Sequence, residues 1–133
     1  MTAPQYVGYA MLQTSAITTV VSQRIYHGMR PEGTAVPSIN YYELPGTRTY
    51  GYVSQPYSIN CRASTAGAAR SLANLVINLF SGTSATGIAG TLNGFTVGRC
   101  SLRADQGLLP EPEDNIFNAP VEITLVYGLD TVS

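Results

Sequence analysis

Side chains able to do acid–base, nucleophilic or metal chemistry are few in this sequence and scattered along it. His27 is the single histidine, so neither a His-based metal cluster nor a paired-histidine mechanism can be assembled. A catalytic imidazole needs an orienting carboxylate and a nucleophile within reach. The spacing around His27 points to neither, and a loop histidine beside Gly28 is the simpler expectation. Cys61 and Cys100 are the only cysteines. Both fall at inward positions of alternating segments, where a thiol behaves as a small hydrophobe. No helix start or basic cluster adjoins them to lower their pKa. One disulfide is permitted, but nothing in the sequence demands it. Glu111, Glu113 and Asp114 form the one carboxylate cluster. Oxygen ligands of this kind can hold a hard cation, but spaced by Pro112 in a loop they read as solvated. The glycine-rich GIAGTLNG lacks the Lys-Ser/Thr ending of a phosphate loop and reads as a strand and hairpin turn. No catalytic, cofactor or metal site is expected.

The composition points instead to contact with other proteins. Charged residues make up 11% of the chain, well below the roughly 25% usual for soluble domains. A surface finished with Ser, Thr, Asn, Gln, Gly and Tyr desolvates at low cost, which favours burial against a partner. All seven basic residues are Arg, and the net charge is −1. That balance argues against a dedicated nucleic-acid binder, which needs a basic patch to displace counterions. Nine Tyr against three Phe and no Trp suit an interface, since Tyr offers apolar area and a hydroxyl together. No signal-like segment opens the chain, and no apolar run approaches the roughly 18–20 residues needed to cross a bilayer. A product with free, buried thiols and no membrane contact is expected.

The elements that must position these residues follow from periodicity. Residues 5–14 place Tyr6, Tyr9, Ala10 and Leu12 or Gln13 at helical spacing, and Ser15 is placed to cap a second short turn. Ile25 and Tyr26 suit a short strand ended by Gly28, with a loop over 29–37. Residues 38–44 and 57–63 alternate as strands. In the second, Tyr57, Ile59, Cys61 and Ala63 share one face, with Ser58, Asn60 and Arg62 on the other. The arm TRTYGYVSQP joins these strands, with Arg48, Tyr50 and Tyr52 expected on one face. Residues 65–81 give the clearest helix: Ala69, Leu72, Ala73, Val76, Leu79 and Phe80 form one stripe, opposite Arg70, Asn74 and Asn78. Ser64 or Thr65 can cap its start, and Gly82 its end. Asn93-Gly94 suits a two-residue hairpin turn, and a bulge at Gly98 would reconcile the change of parity that follows. Residues 106–118 read as a polar, proline-bearing loop. In the last strand Val121, Ile123, Leu125 and Tyr127 face the core. The order predicts a single α+β domain over 1–133: a largely antiparallel mixed sheet with a long helix and a short N-terminal helix packed on one face.

Several phrases in this order resemble the tail-terminator (tail-completion) proteins of tailed phages. They are TTVVSQRIYHG, VPSINYYEL, the junction YSINCRASTAGAARSLANLVINLF, GTLNGFTVGRC and the final VEITLVYG, together spanning about Tyr6 to Gly128. The resemblance implies a hexameric ring that caps the tail tube, ends its polymerisation and docks to the head-tail connector or stopper protein. DNA would pass through its lumen without specific binding. It also implies a place in the virion after assembly in the host cytoplasm, with no catalysis and no cofactor. Another neck or tail ring protein, or a small-molecule binding module, stands as the alternative. Candidate contacts with a neighbouring subunit or the tube are Arg48, Tyr50 and Tyr52 of the arm and Leu108, Leu109 and Phe117 of the 106–118 segment.

Overall fold

The computed structural model describes residues 3–28, 35–49, 51–80, 90–92, 95–97, 99–105, 109–111 and 116–128. Two helices, α1 (Ala3–Leu12) and α2 (Ser15–Val21), lead into the strands β1 (Ile25–His27) and β2 (Ser38–Glu43). Next come β3 (Thr47–Thr49), β4 (Tyr52–Ala63) and the long helix α3 (Ala66–Phe80). The remaining strands are β5 (Gly90–Leu92), β6 (Phe95–Val97), β7 (Arg99–Asp105), β8 (Leu109–Glu111) and β9 (Ile116–Gly128). The fold is α+β, with a mixed sheet in the order β1-β2-β4-β9-β7. Among the described residues only β1 and β2 run parallel; every other pairing is antiparallel.

Strands β4 and β9 form the spine, in register from Tyr52 opposite Gly128 to Ala63 opposite Phe117. Because side chains alternate with period two, this register puts Tyr57, Ile59 and Cys61 beside Ile123, Val121 and Ala119 on one buried face. Helix α3 covers that face with Ala69, Leu72, Ala73, Val76, Leu79 and Phe80, all buried, while Asn74 and Asn78 are exposed. Thr65 caps the helix: its Oγ1 accepts from the Ala68 N–H at 3.1 Å. Helix α1 buries Tyr6, Val7, Ala10 and Met11. Its stripe is thus offset from the expected one, with Tyr9 only half-buried and Leu12 exposed. Gly8 is required there, because a Cβ would collide with the Tyr41 hydroxyl packed on the helix.

Three expectations are corrected. Ser15 opens α2 rather than capping it: Thr14 is the capping position, but its hydroxyl donates back to the Ala10 carbonyl at 2.9 Å. The bulge expected at Gly98 lies outside the described residues, and the strands on either side of it belong to different sheets. Strand β6 pairs with β5 and β7 pairs with β9, and the register irregularity lies between Leu102 and Ala104. The segment 106–118 is not a continuous loop. Leu109–Glu111 pairs with Asn118–Ile116, alongside the start of β9, and Pro110 is tolerated because among the described residues β8 pairs with β9 alone. The arm, finally, is a β-hairpin, since β3 folds back on Tyr52–Ser54 of β4. Gly82, Asn93, Gly94 and Gly98, and the first part of the 29–37 loop, lie outside the described residues.

Candidate assembly surface

The arm leaves β2 at Leu44, whose N–H donates to the Pro56 carbonyl at 2.9 Å. The Gln55 amide donates to the carbonyls of Leu44 and Pro56, at 2.6 Å and 3.1 Å, and pins this departure. Gly46 lies so close to β4 that a Cβ would stand 2.6 Å from the Ser54 carbonyl oxygen. The hairpin turn closes with Gly51 at a φ of 88°, a left-handed conformation that favours glycine.

Register decides what the arm presents. Arg48 is opposite Val53 and Thr49 is opposite Tyr52, and cross-strand partners share a face. Arg48 and Tyr52 therefore point to opposite faces, against expectation. Tyr50 lies outside the described residues. Arg48 falls on the helix-bearing face, above a cleft of about 330 Å³ lined by Gly46, Thr47, Arg48, Val53, Gln55 and Tyr127. Tyr52 falls on the other face, where it is 44% exposed, and Tyr42 is 42% exposed on the same side. Between them lie half-exposed Ser54, Thr124 and Val126, with half-exposed Glu122 beside Ser58, so this end of the sheet offers a polar, Tyr-bearing surface.

Farther along the same face the polar side chains are buried. Ser38, Asn40, Ser58, Asn60 and Asn118 are each less than one-tenth exposed. The asparagines form a ladder: Asn40 donates to the Gly28 carbonyl at 3.0 Å, Asn118 donates to Asn60 Oδ1 at 3.0 Å, and Arg62 donates to Asn40 Oδ1. Period-two alternation identified Ser58, Asn60 and Arg62 as the face opposite the core but carried no sign that this face is buried too.

Around the cleft the helix-bearing face carries Tyr41, Tyr57 and Tyr127. Burial, then the nearby Glu43 carboxylate, pushes the Tyr41 and Tyr57 hydroxyls upward. Burial also raises Tyr127, opposed by the Arg48 guanidinium. Tyr41 donates to the Pro4 carbonyl at 2.9 Å, whereas the Tyr57 hydroxyl is buried and has no hydrogen-bond partner among the described residues. His27 ends β1 rather than lying in a loop. It pairs with Glu43 and stacks on Tyr41 with ring centroids 5.1 Å apart. The sequence reading missed that carboxylate, which only the β1–β2 register brings alongside. Burial pushes the Cys61 thiol up to about 12, so it stays protonated and unreactive. Among the described residues no three His, Cys, Asp or Glu side chains converge on a metal position.

The other expected contact residues are dispersed. Phe117 is half-buried against the core at the start of β9. Leu109 opens β8, opposite Asn118, and Leu108 lies outside the described residues. A second depression of about 570 Å³, lined by Leu12, Gln13, Thr18, Ser22 and Gln23, lies between α1 and α2.

No family model matches the chain, and no curated protein is similar to it in sequence. In structure it is similar to a chain of a solved particle, the virion of a native gene transfer agent. The TM-score is 0.69, over 96% of this chain and 95% of that one, at 10% sequence identity. The two share a fold along nearly their whole lengths.

Proposed function

We propose that this chain is a structural subunit of a phage-like virion. More specifically, we read it as a tail terminator that forms a hexameric ring, caps the tail tube, ends its polymerisation and joins it to the head-tail connector or stopper protein. The likeness to a chain of a gene transfer agent virion carries this reading. It covers both chains almost end to end, so it concerns a whole subunit and not a borrowed motif. The Tyr-bearing end of the sheet and the hairpin arm support it, since Tyr-rich surfaces suit burial against protein. In this reading Arg48, Tyr50 and Tyr52 meet a neighbouring subunit or the tube. Leu108 and Leu109 are proposed for the same role, and Phe117 contributes from the edge of the core. DNA passes through the ring lumen unbound, and the work is assembly rather than catalysis.

The test is native mass measurement of the purified protein, alone and with assembled tail tubes, combined with electron microscopy of tube ends. A hexamer, or a ring recruited at one end of the tube, is the expected result. A subunit that stays monomeric at high concentration and leaves tube ends free and still growing would overturn the reading.

A further inference from the structure

Among the described residues four large hydrophobic side chains are exposed: Leu12, Val20, Tyr42 and Tyr52. They fall on opposite sides of the sheet. Leu12 and Val20 belong to α1 and α2, and α1 packs through Gly8 on Tyr41, on the helix-bearing face. Tyr42 and Tyr52 lie on the other face. Leu12 also lines the depression of about 570 Å³, together with Gln13, Thr18, Ser22 and Gln23. None of these five side chains is charged, and Leu12 alone is apolar. Ser22 in the wall holds a φ of 57° without being glycine, and strained backbone of this kind collects where surfaces bind. Across the sheet, Tyr52 stands at the tip of the arm. Gly51 precedes it in the turn and Gly128 is opposite it on β9, so the ring stands clear of side chains on two sides. Tyr42, by contrast, is flanked by Ser58 on β4.

We propose that the α1–α2 depression receives Tyr52 from a second copy of this chain. A buried tyrosine needs apolar contact for its ring and a hydrogen-bond partner for its hydroxyl. Leu12 supplies the first, and the amides of Gln13 and Gln23 with the Ser22 hydroxyl supply the second. A volume of about 570 Å³ falls within the roughly 300–1,000 Å³ of sites that enclose a small organic group, room enough for a phenol ring. Tyr52 and the depression lie on opposite faces, so one subunit cannot fill its own. Knob and hollow also differ, so the contact is head-to-tail. Contacts of that kind close into rings or run on as filaments, and the proposal rests on reading the chain as a ring subunit.

Two variants and their mixture test it on the full chain. Self-association is read by sedimentation, with assembled tail tubes added if the wild type needs them to associate. Tyr52→Ala removes the knob, and Gln13→Trp fills the hollow from an exposed position. Each should weaken self-association by about tenfold or more. Mixed in equal amounts, they should form pairs that grow no further, because one intact knob still meets one intact hollow. Tyr52→Phe keeps the ring and loses the hydroxyl, so it should fall between the wild type and Tyr52→Ala. Circular dichroism establishes that each variant is folded, and Leu12→Ser replaces Gln13→Trp if that change unfolds the chain. Wild-type association by either variant, or a mixture that forms no pairs, overturns this contact while leaving the ring intact. A hollow that serves a tube side chain or a small molecule instead would give that result. A wild-type chain that neither self-associates nor binds tube ends overturns the ring reading itself.

Discussion

Replacing Gly8 with alanine sets two effects of known size against each other. In a free helix the change stabilises by roughly 0.5–1 kcal/mol, because glycine loses more backbone freedom on folding. Here the added Cβ collides with the Tyr41 hydroxyl and stands 3.2 Å from Cζ of the same ring. Tyr41 is only 5% exposed, and its hydroxyl is committed to the Pro4 carbonyl at 2.9 Å, so the ring has no free path to solvent. Pushing it aside costs a net hydrogen bond, about 0.5–1.5 kcal/mol, plus overpacking of about 1–3 kcal/mol. Net destabilisation of roughly 1–3 kcal/mol is expected. Gly67 in α3 is the control. A Cβ there meets nothing within 4 Å, so Gly67→Ala should stabilise by up to about 1 kcal/mol. Urea unfolding followed by circular dichroism measures both. Tyr41→Phe removes the colliding oxygen, so Gly8→Ala should cost about 1 kcal/mol less in that background. If Gly8→Ala stabilises as Gly67→Ala does, or costs the same with and without the hydroxyl, the close approach is not what keeps glycine in α1.

Three further outcomes are expected. Leu72→Ala should cost about 2–5 kcal/mol as a core truncation, while Asn74→Ala on the exposed stripe should stay within about 0.5 kcal/mol in the isolated subunit. Thermal melting distinguishes them. Cys61 has a folded pKa raised to about 12 from 9.0. Its contribution to stability is therefore complete below pH 9 and is lost as pH rises toward 12. In a Cys100→Ser background, Cys61 should resist thiol reagents at pH 8 until the protein is unfolded. Tyr57→Phe removes a buried hydroxyl that has no hydrogen-bond partner among the described residues. It should leave stability unchanged or raise it, and a loss above about 1 kcal/mol would show that the hydroxyl is satisfied after all.

Legibility in the sequence followed the strength of local pattern. Helix α3 could be read because an apolar stripe, a Thr cap and a polar stripe agree over many turns. The second half of β4 could be read for the same reason. Its first half could not, because Ser54, Gln55 and Pro56 break the alternation and only pairing with β9 makes a strand of them. Strand β8 was hidden by Pro110, which argues against a strand until its one-sided pairing is known. The arm was located, but its faces were misassigned. Alternation along TRTYGY assumes one extended segment, and the turn at Gly51 brings Thr49 rather than Arg48 opposite Tyr52. The Asn ladder was illegible in principle. Asn40, Asn60 and Asn118 become neighbours only through the register of three strands.

The place of β9 in the sheet bears on how the chain reaches its fold. It follows every other described element in sequence yet lies between β4 and β7. Its pairings join residues as distant as Tyr52 and Gly128. Topologies dominated by such distant contacts fold slowly, in roughly milliseconds to seconds, because the cost of closing the loop precedes the reward. Until β9 inserts, β4 keeps an unpaired edge flanked by Tyr57, Ile59 and Cys61, a template that another chain can use. Refolding yield should therefore fall steeply with protein concentration even where the finished subunit is stable. Chains truncated before Ile116 should aggregate instead of forming a smaller soluble domain.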